Sequence, residues 1–200
     1  MRTHREPAAG YTLVELAVVI AIIAIFLAYA IPSYKAVLVQ NRIGTEINDI
    51  NTDIELARSA AIKQGVPVVI CPSTNVTNAA PSCSGASNWE TGWIIFTDIA
   101  NDQTFATASG DALIRVHAPL QAKDTMSGTV GSLAGGPFGG SLSLLEFNRM
   151  GGATIGSASK FGALSVHDAS NTLGWRRCVV VSNVGATTLN SQTLNAGVCP

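Results

Sequence analysis

The sequence predicts an α+β fold in which a long N-terminal helix leads into a β-rich domain. Three observations carry this. An uncharged apolar run fills residues 16–31 (LAVVIAIIAIFLAYAI), isoleucine and alanine then recur at helical spacing as far as Ala61, and six short β-branched or aromatic segments follow.

The apolar run explains an odd composition. The chain has 200 residues, 47% hydrophobic and only 12% charged, about half the charge of an average soluble domain. Residues 16–31 hold no charged side chain, and a run of that kind suits a membrane span. What lies beyond it, about 170 residues, is one domain of ordinary size. Twelve Lys and Arg against thirteen Asp and Glu give a formal net charge of −1, which offers no general attraction to nucleic acid or anionic lipid.

The N-terminus is the most informative stretch. Before the run stands MRTHREPAAG, whose Arg2 and Arg5 place this end in the cytoplasm under the positive-inside rule, so that the bulk of the chain is exported. A secretory signal would be cut after Ala30, at Ala28-Tyr29-Ala30. Glu15 argues against that route, because a carboxylate at the edge of a membrane segment costs up to about 2.5–3.5 kcal/mol and a disposable signal gains nothing from it. The stretch Gly10-Tyr11-Thr12-Leu13-Val14-Glu15-Leu16 resembles the processing site of type IV prepilins, with Tyr11 where phenylalanine is usual. The resemblance implies cleavage between Gly10 and Tyr11 by a prepilin peptidase, N-methylation of Tyr11, and a helix that stays on the mature protein. Glu15 would then be buried in a filament core, where a carboxylate needs a cationic partner. The nearest candidate is the N-terminal amine of a neighbouring subunit's Tyr11, a pairing that would fix axial register.

The helix is expected to continue past Pro32 to about Gln64. Ile43, Ile47, Ile50, Ile54, Ala57 and Ala61 form one face, Arg42, Glu46, Asp49, Asp53 and Arg58 fall largely on others, and Gly65 with Pro67 ends the pattern. Such a helix from Tyr11 is about 80 Å long at 1.5 Å per residue. Pro32 should kink it, and Gly44 is a second weak point. The stripe is expected to pack on one sheet rather than in a coiled coil, because the period stops and strand-like segments begin at once: residues 66–71, 92–98, 112–117, 142–148, 163–167 and 177–182. Residues 131–141 (GSLAGGPFGGS) read as a mobile loop.

Four cysteines behind an export-type segment fit an oxidising compartment, and four allow three pairings. Pairing Cys71 with Cys83 and Cys178 with Cys199 is favoured, since each pair closes a loop rich in Ser, Asn, Gly or Thr. With no C-x-x-C pair, no metal is expected.

The prepilin start, the first strand ending at Cys71, the run 88–98 (NWETGWIIFTD), residues 145–151 (LEFNRMG) and the late strand over 178–182 are together similar to the GspH/FimT family of minor pilins and pseudopilins, FimT and FimU among them. The resemblance implies the type IV pilin fold, divided into a cleaved leader (1–10), a transmembrane and filament-core helix (11–31), its amphipathic continuation (32–64) and a globular β-rich domain (65–200). It implies an inner-membrane protein with a periplasmic domain, acting with other minor and major pilin subunits to initiate or cap a type IV pilus. A GspH-like pseudopilin of type II secretion is the neighbouring reading, and DNA capture for natural transformation is a third. DNA-binding members carry G-R-x-R after the late strand. This chain has Gly185-Ala186-Thr187-Thr188 there, which leaves Arg176 and Arg177 as at most a weak DNA contact.

No catalytic residue and no cofactor are expected. His4, His117 and His167 stand in no metalloprotease, esterase or phosphate-loop pattern. Trp89 and Trp93 read as core packing, and Asn75-Val76-Thr77 as a chance glycosylation sequon.

Overall fold

The computed structural model describes residues 11–131, 138–155, 161–191 and 199. The leader 1–10, including Gly10, lies outside the described residues. Helix α1 spans Leu13–Gln64, so neither Pro32 nor Gly44 ends it. It stops where Gly65 takes a φ of +69° and donates its N–H to the Ala61 carbonyl at 3.0 Å, the left-handed C-terminal turn that glycine adopts without strain.

The chain forms two compact units, residues 1–40 and 41–200. The described part of the first is helical from Leu13 onward, and its apolar side chains are exposed on every side. The second unit joins residues 41–64 of α1 to two five-stranded antiparallel sheets. The strands are β1 (Val68–Pro72), β2 (Trp93–Thr97), β3 (Leu113–His117), β4 (Thr125–Gly131), β5 (Phe138–Ser141), β6 (Leu145–Phe147), β7 (Ala153–Thr154), β8 (Phe161–His167), β9 (Arg177–Ser182) and β10 (Thr187–Ser191). The first sheet runs β3-β2-β1-β6-β7 and the second β10-β9-β8-β4-β5. The antiparallel β-rich domain expected behind the helix is thus built as two sheets, the second edged by the polar or glycine-rich segments FGGS and TTLNS.

The isoleucine stripe is the helix's contribution to the core. Ile43, Ile47, Ile50, Ile54, Ala57 and Ala61 are all buried. The central strands β1 and β2 are buried at every position. On one face Val69, Cys71, Ile94 and Phe96 cluster beneath Val76, Cys83, Phe105 and Leu144. Alternation along the strand sends Trp93 to the other face, where its indole N–H reaches Asp53 of α1 at 2.8 Å.

Two expectations need correction. Residues 131–141 are not all loop: Phe138–Ser141 form β5, with Thr129 opposite Ser141, while residues 132–137 lie outside the described residues. Glu46 and Asp53, expected largely off the isoleucine face of α1, are buried with it, 6% and 1% exposed. Each lies three residues after a core isoleucine, Ile43 or Ile50, a spacing that places it on the buried side of a helix.

Candidate functional site

The first turn of α1 shows how the N-terminal motif is built. Thr12 is its N-cap: the hydroxyl accepts the Glu15 backbone N–H at 3.2 Å, and the Thr12 carbonyl accepts the Leu16 N–H, also at 3.2 Å. Thr12 and Glu15 thus hold the threonine and glutamate positions of a capping box. Glu15 sits in the first turn, at the positive end of the helix dipole, where a carboxylate is best tolerated. Sequence reasoning gave Thr12 no role, although the T-x-x-E spacing was there to be read. Tyr11 and Glu15 are both exposed, so each is open to a partner.

Beyond that turn α1 is apolar all round and unburied, Leu16, Ile20, Ile23 and Leu27 each being at least half exposed. A helix of this kind finds its solvent in a bilayer or among similar helices. Disulfides join Cys71 to Cys83 and Cys178 to Cys199, with Cα atoms 5.5 and 5.6 Å apart. The first ties the end of β1 to the connection leading to β2, which is further held by Asn75 accepting the Ser82 N–H at 2.9 Å. The second ties the chain end to β9.

A charged network lies between the second half of α1 and β3. Arg42 reaches both carboxylate oxygens of Asp124, the Nη2–Oδ1 distance being 2.7 Å, and this pairing raises its guanidinium pKa. Asp53, buried, accepts from Trp93 and pairs with Arg115 at 2.9 Å. His117 lies flat on Trp93, and its Nδ1–H donates to the Ala118 carbonyl at 2.8 Å. Its Nε2 is 3.9 Å from Asp49. Burial first, then repulsion by Asp124, pushes the Glu46 carboxyl up to about 7.

The late strand arranges its arginines locally. The Arg176 Nη2 donates to Asn171 Oδ1 at 2.7 Å, and the Arg177 Nη1 donates to the Arg176 carbonyl at 3.1 Å. Thr187, at the variable position of the G-R-x-R register, donates its hydroxyl to Glu55 of α1 at 2.8 Å. Gly185, with φ +79°, turns the chain between β9 and β10, and a Cβ there would run into the Gly151 carbonyl. Arg58 of α1 secures both loops, donating to the carbonyls of Gly151 and Val184 at 3.0 and 3.3 Å.

Comparisons with known proteins agree with this architecture. The family model described as "Type II transport protein GspH" matches residues 46–185, and the "Prokaryotic N-terminal methylation motif" matches residues 7–31. Crystal structures of the Pseudomonas aeruginosa type IV minor pilin FimU are similar in fold. In space group P21 the TM-score is 0.52 at 18% identity, covering 75% of this chain and 89% of that one. In space group P65 the TM-score is 0.49 at 17% identity, covering 74% and 91%. None of the curated protein sequences compared with the chain matches it. A family match over residues 46–185, behind a methylation motif and on a pilin-like α+β fold, means that the chain belongs to the GspH family, as a minor pilin or pseudopilin.

Proposed function

We propose that this chain is a minor pilin of a type IV pilus that helps initiate or cap filament assembly. The observation that carries the reading is the capped start of α1: a Thr12–Glu15 turn opens a helix apolar on every side, directly after the residues where prepilins are cut. In this reading the leader 1–10 is removed between Gly10 and Tyr11 by a prepilin peptidase and Tyr11 is N-methylated. Residues 11–31 anchor the chain in the inner membrane and later pack in the filament core. Residues 32–64 continue as the amphipathic helix, and residues 65–200 form a periplasmic domain that meets other minor and major pilins.

Glu15 sets register against the neighbouring Tyr11 amine, which an exposed carboxylate in the first turn is free to do. The role is one of assembly rather than catalysis, so no cofactor enters it. Arg176 and Arg177 donate to acceptors close by in sequence, Asn171 and the Arg176 carbonyl, which favours protein neighbours over DNA as the domain's partners. The test is mass spectrometry of the mature N-terminus: N-methyl-tyrosine at Tyr11 supports the reading, and a chain beginning at Ile31 overturns it.

The family description supports a second reading, a pseudopilin of type II secretion. Fractionation separates the two. A pilus subunit co-purifies with sheared surface filaments, whereas loss of a secretion subunit leaves exported enzymes in the periplasm.

A further inference from the structure

Among the described residues beyond residue 40, four large apolar side chains are more than half exposed: Ile62, Ile99, Met150 and Val184. All four stand at one end of the domain, where α1 stops and β1 begins. Ile62 lies in the last turn of α1, and Ile99 follows Asp98, whose N–H donates to the Pro67 carbonyl at 2.9 Å. Met150 and Val184 hold matching positions in two β-turns. The Gly151 N–H closes one turn on the Asn148 carbonyl and the Gly185 N–H closes the other on the Ser182 carbonyl, both at 2.8 Å, and the two glycines share the left-handed conformation, with φ of +80° and +79°. The turns lie side by side. A Cβ on Gly185 would strike the Gly151 carbonyl, and one on Gly151 would come within 2.8 Å of Ile62 Cδ1. Turn tips are ordinarily polar, yet these present a methionine 86% exposed and a valine 65% exposed, on backbone that Arg58 and Asn148 hold in place by hydrogen bonds. Apolar residues scattered singly over a surface need no explanation, but three brought together from three separate elements mark a contact site.

We propose that Ile62, Met150 and Val184 form a docking surface for a neighbouring filament subunit, one that presents aliphatic side chains beside a carboxylate. The inference rests on reading the chain as a filament subunit. The partner's charge follows from what flanks the trio. Lys63 beside Ile62 and Arg149 beside Met150 are both exposed, and among the described residues neither has an ion-pair or hydrogen-bond partner. An aliphatic centre edged by unpaired cations is matched by an aliphatic centre edged by carboxylates. A lipid surface fits less well, because aromatic side chains are the usual anchors at headgroup level, and neither turn nor residues 60–65 carry one. Lipid also gains nothing from three side chains fixed by three elements. A protein partner does, since the ordering that binding requires is already complete in the free subunit, while the flexible Met150 adapts to the facing shape.

The test uses the full-length chain expressed with its native neighbours. A benzophenone side chain is placed at Met150, at Val184 and, as a control, at Gln121 in the exposed β3–β4 connection, and intact cells are irradiated. The first two probes are expected to give about tenfold more adduct than the control, with a chain that itself begins in an N-methylated apolar helix. Adducts with lipid alone, or none above the control, overturn the surface. Met150→Asp combined with Val184→Asp should enter the isolated assembly about tenfold less than wild type at an unchanged melting temperature in detergent, whereas Met150→Leu combined with Val184→Ile should enter as wild type does. Full incorporation of the aspartate pair overturns the proposal, and so does a loss that follows a lower melting temperature, which marks a structural role. The two levels of failure separate in the wild type: a chain that joins no assembly defeats the filament reading and this surface with it, while a chain that assembles but cross-links to no subunit defeats the surface alone.

Discussion

Trp93 and His117 stack face to face, ring centroids 3.8 Å apart and planes within 4°. The indole N–H points to Asp53 at 2.8 Å and thereby ties β2 to α1. Asp53 also meets Arg115 of β3, so one buried carboxylate joins the helix to two adjacent strands. Replacing Trp93 by Phe keeps most of the ring contact but removes the donor. The partly orphaned Asp53 should cost about 1–3 kcal/mol, read from chemical denaturation of the full chain in detergent.

Glu46 should make stability depend on pH. Burial and then the charge of Asp124 hold its carboxyl pKa at about 7, above the ordinary 4.5, with Arg42 pulling the other way and Asp49 adding a smaller repulsion. The folded chain retains a proton that the unfolded chain releases near pH 4.5. This group's contribution is therefore fully present below that pH and is lost as pH rises to about 7, levelling off above. Melts between pH 5 and 8 should show the wild type falling relative to Glu46→Gln, with the variant the more stable at pH 8.

Two glycines should respond oppositely to alanine. At Gly185 the positive φ and the Gly151 carbonyl leave no room for a methyl group. Gly185→Ala should cost more than about 2 kcal/mol and loosen the Arg58 contacts, visible as faster hydrogen exchange in β10. At Gly44, in the body of α1, nothing lies within 4 Å of a new Cβ. Gly44→Ala should stabilise by about 0.5–1 kcal/mol.

The Thr12 cap can be tested apart from Glu15. Thr12→Ala removes the acceptor for the Glu15 N–H and should cost about 1 kcal/mol locally, seen as faster amide exchange over the first turn. Glu15→Ala leaves that hydrogen bond in place, so it should fray the helix less while failing in filament incorporation.

Removing the Cys71–Cys83 disulfide, which spans 12 residues, should cost about 3 kcal/mol in the chain-entropy account. The double alanine variant avoids a stranded buried thiol, and its melting temperature is the measurement. The Cys178–Cys199 bridge spans 21 residues and should cost slightly more when lost.

What the sequence made legible follows from where apolar side chains do the work. The stripe Ile43 to Ala61 and the strands beginning at Val68 and Trp93 announce themselves because burial demands β-branched or aliphatic residues at fixed spacing. β5, β7 and β10 did not, and all three are sheet edges. In FGGS and TTLNS the backbone pairs on one side only, and side chains carry little of the information. β4 hid for another reason. Its Gly128 faces Trp89 and Leu142 so closely that a Cβ would clash with both, so the glycine that weakens the strand pattern is there to admit a tryptophan. The charged network between α1 and β3 was obscured because Glu46 and Asp53 look like surface residues unless their spacing from Ile43 and Ile50 is counted.

The all-round apolar half of α1 has a consequence for energetics. To side chains such as Ile20, Ile23 and Leu27, unburied in the free chain, lipid tails and the flanks of other helices are nearly the same medium. Moving the segment between them has a partition coefficient near unity as far as its hydrocarbon is concerned. Under the proposed cut before Tyr11, the direction of transfer falls to the few polar atoms at its mouth, the Glu15 carboxylate and the new amine.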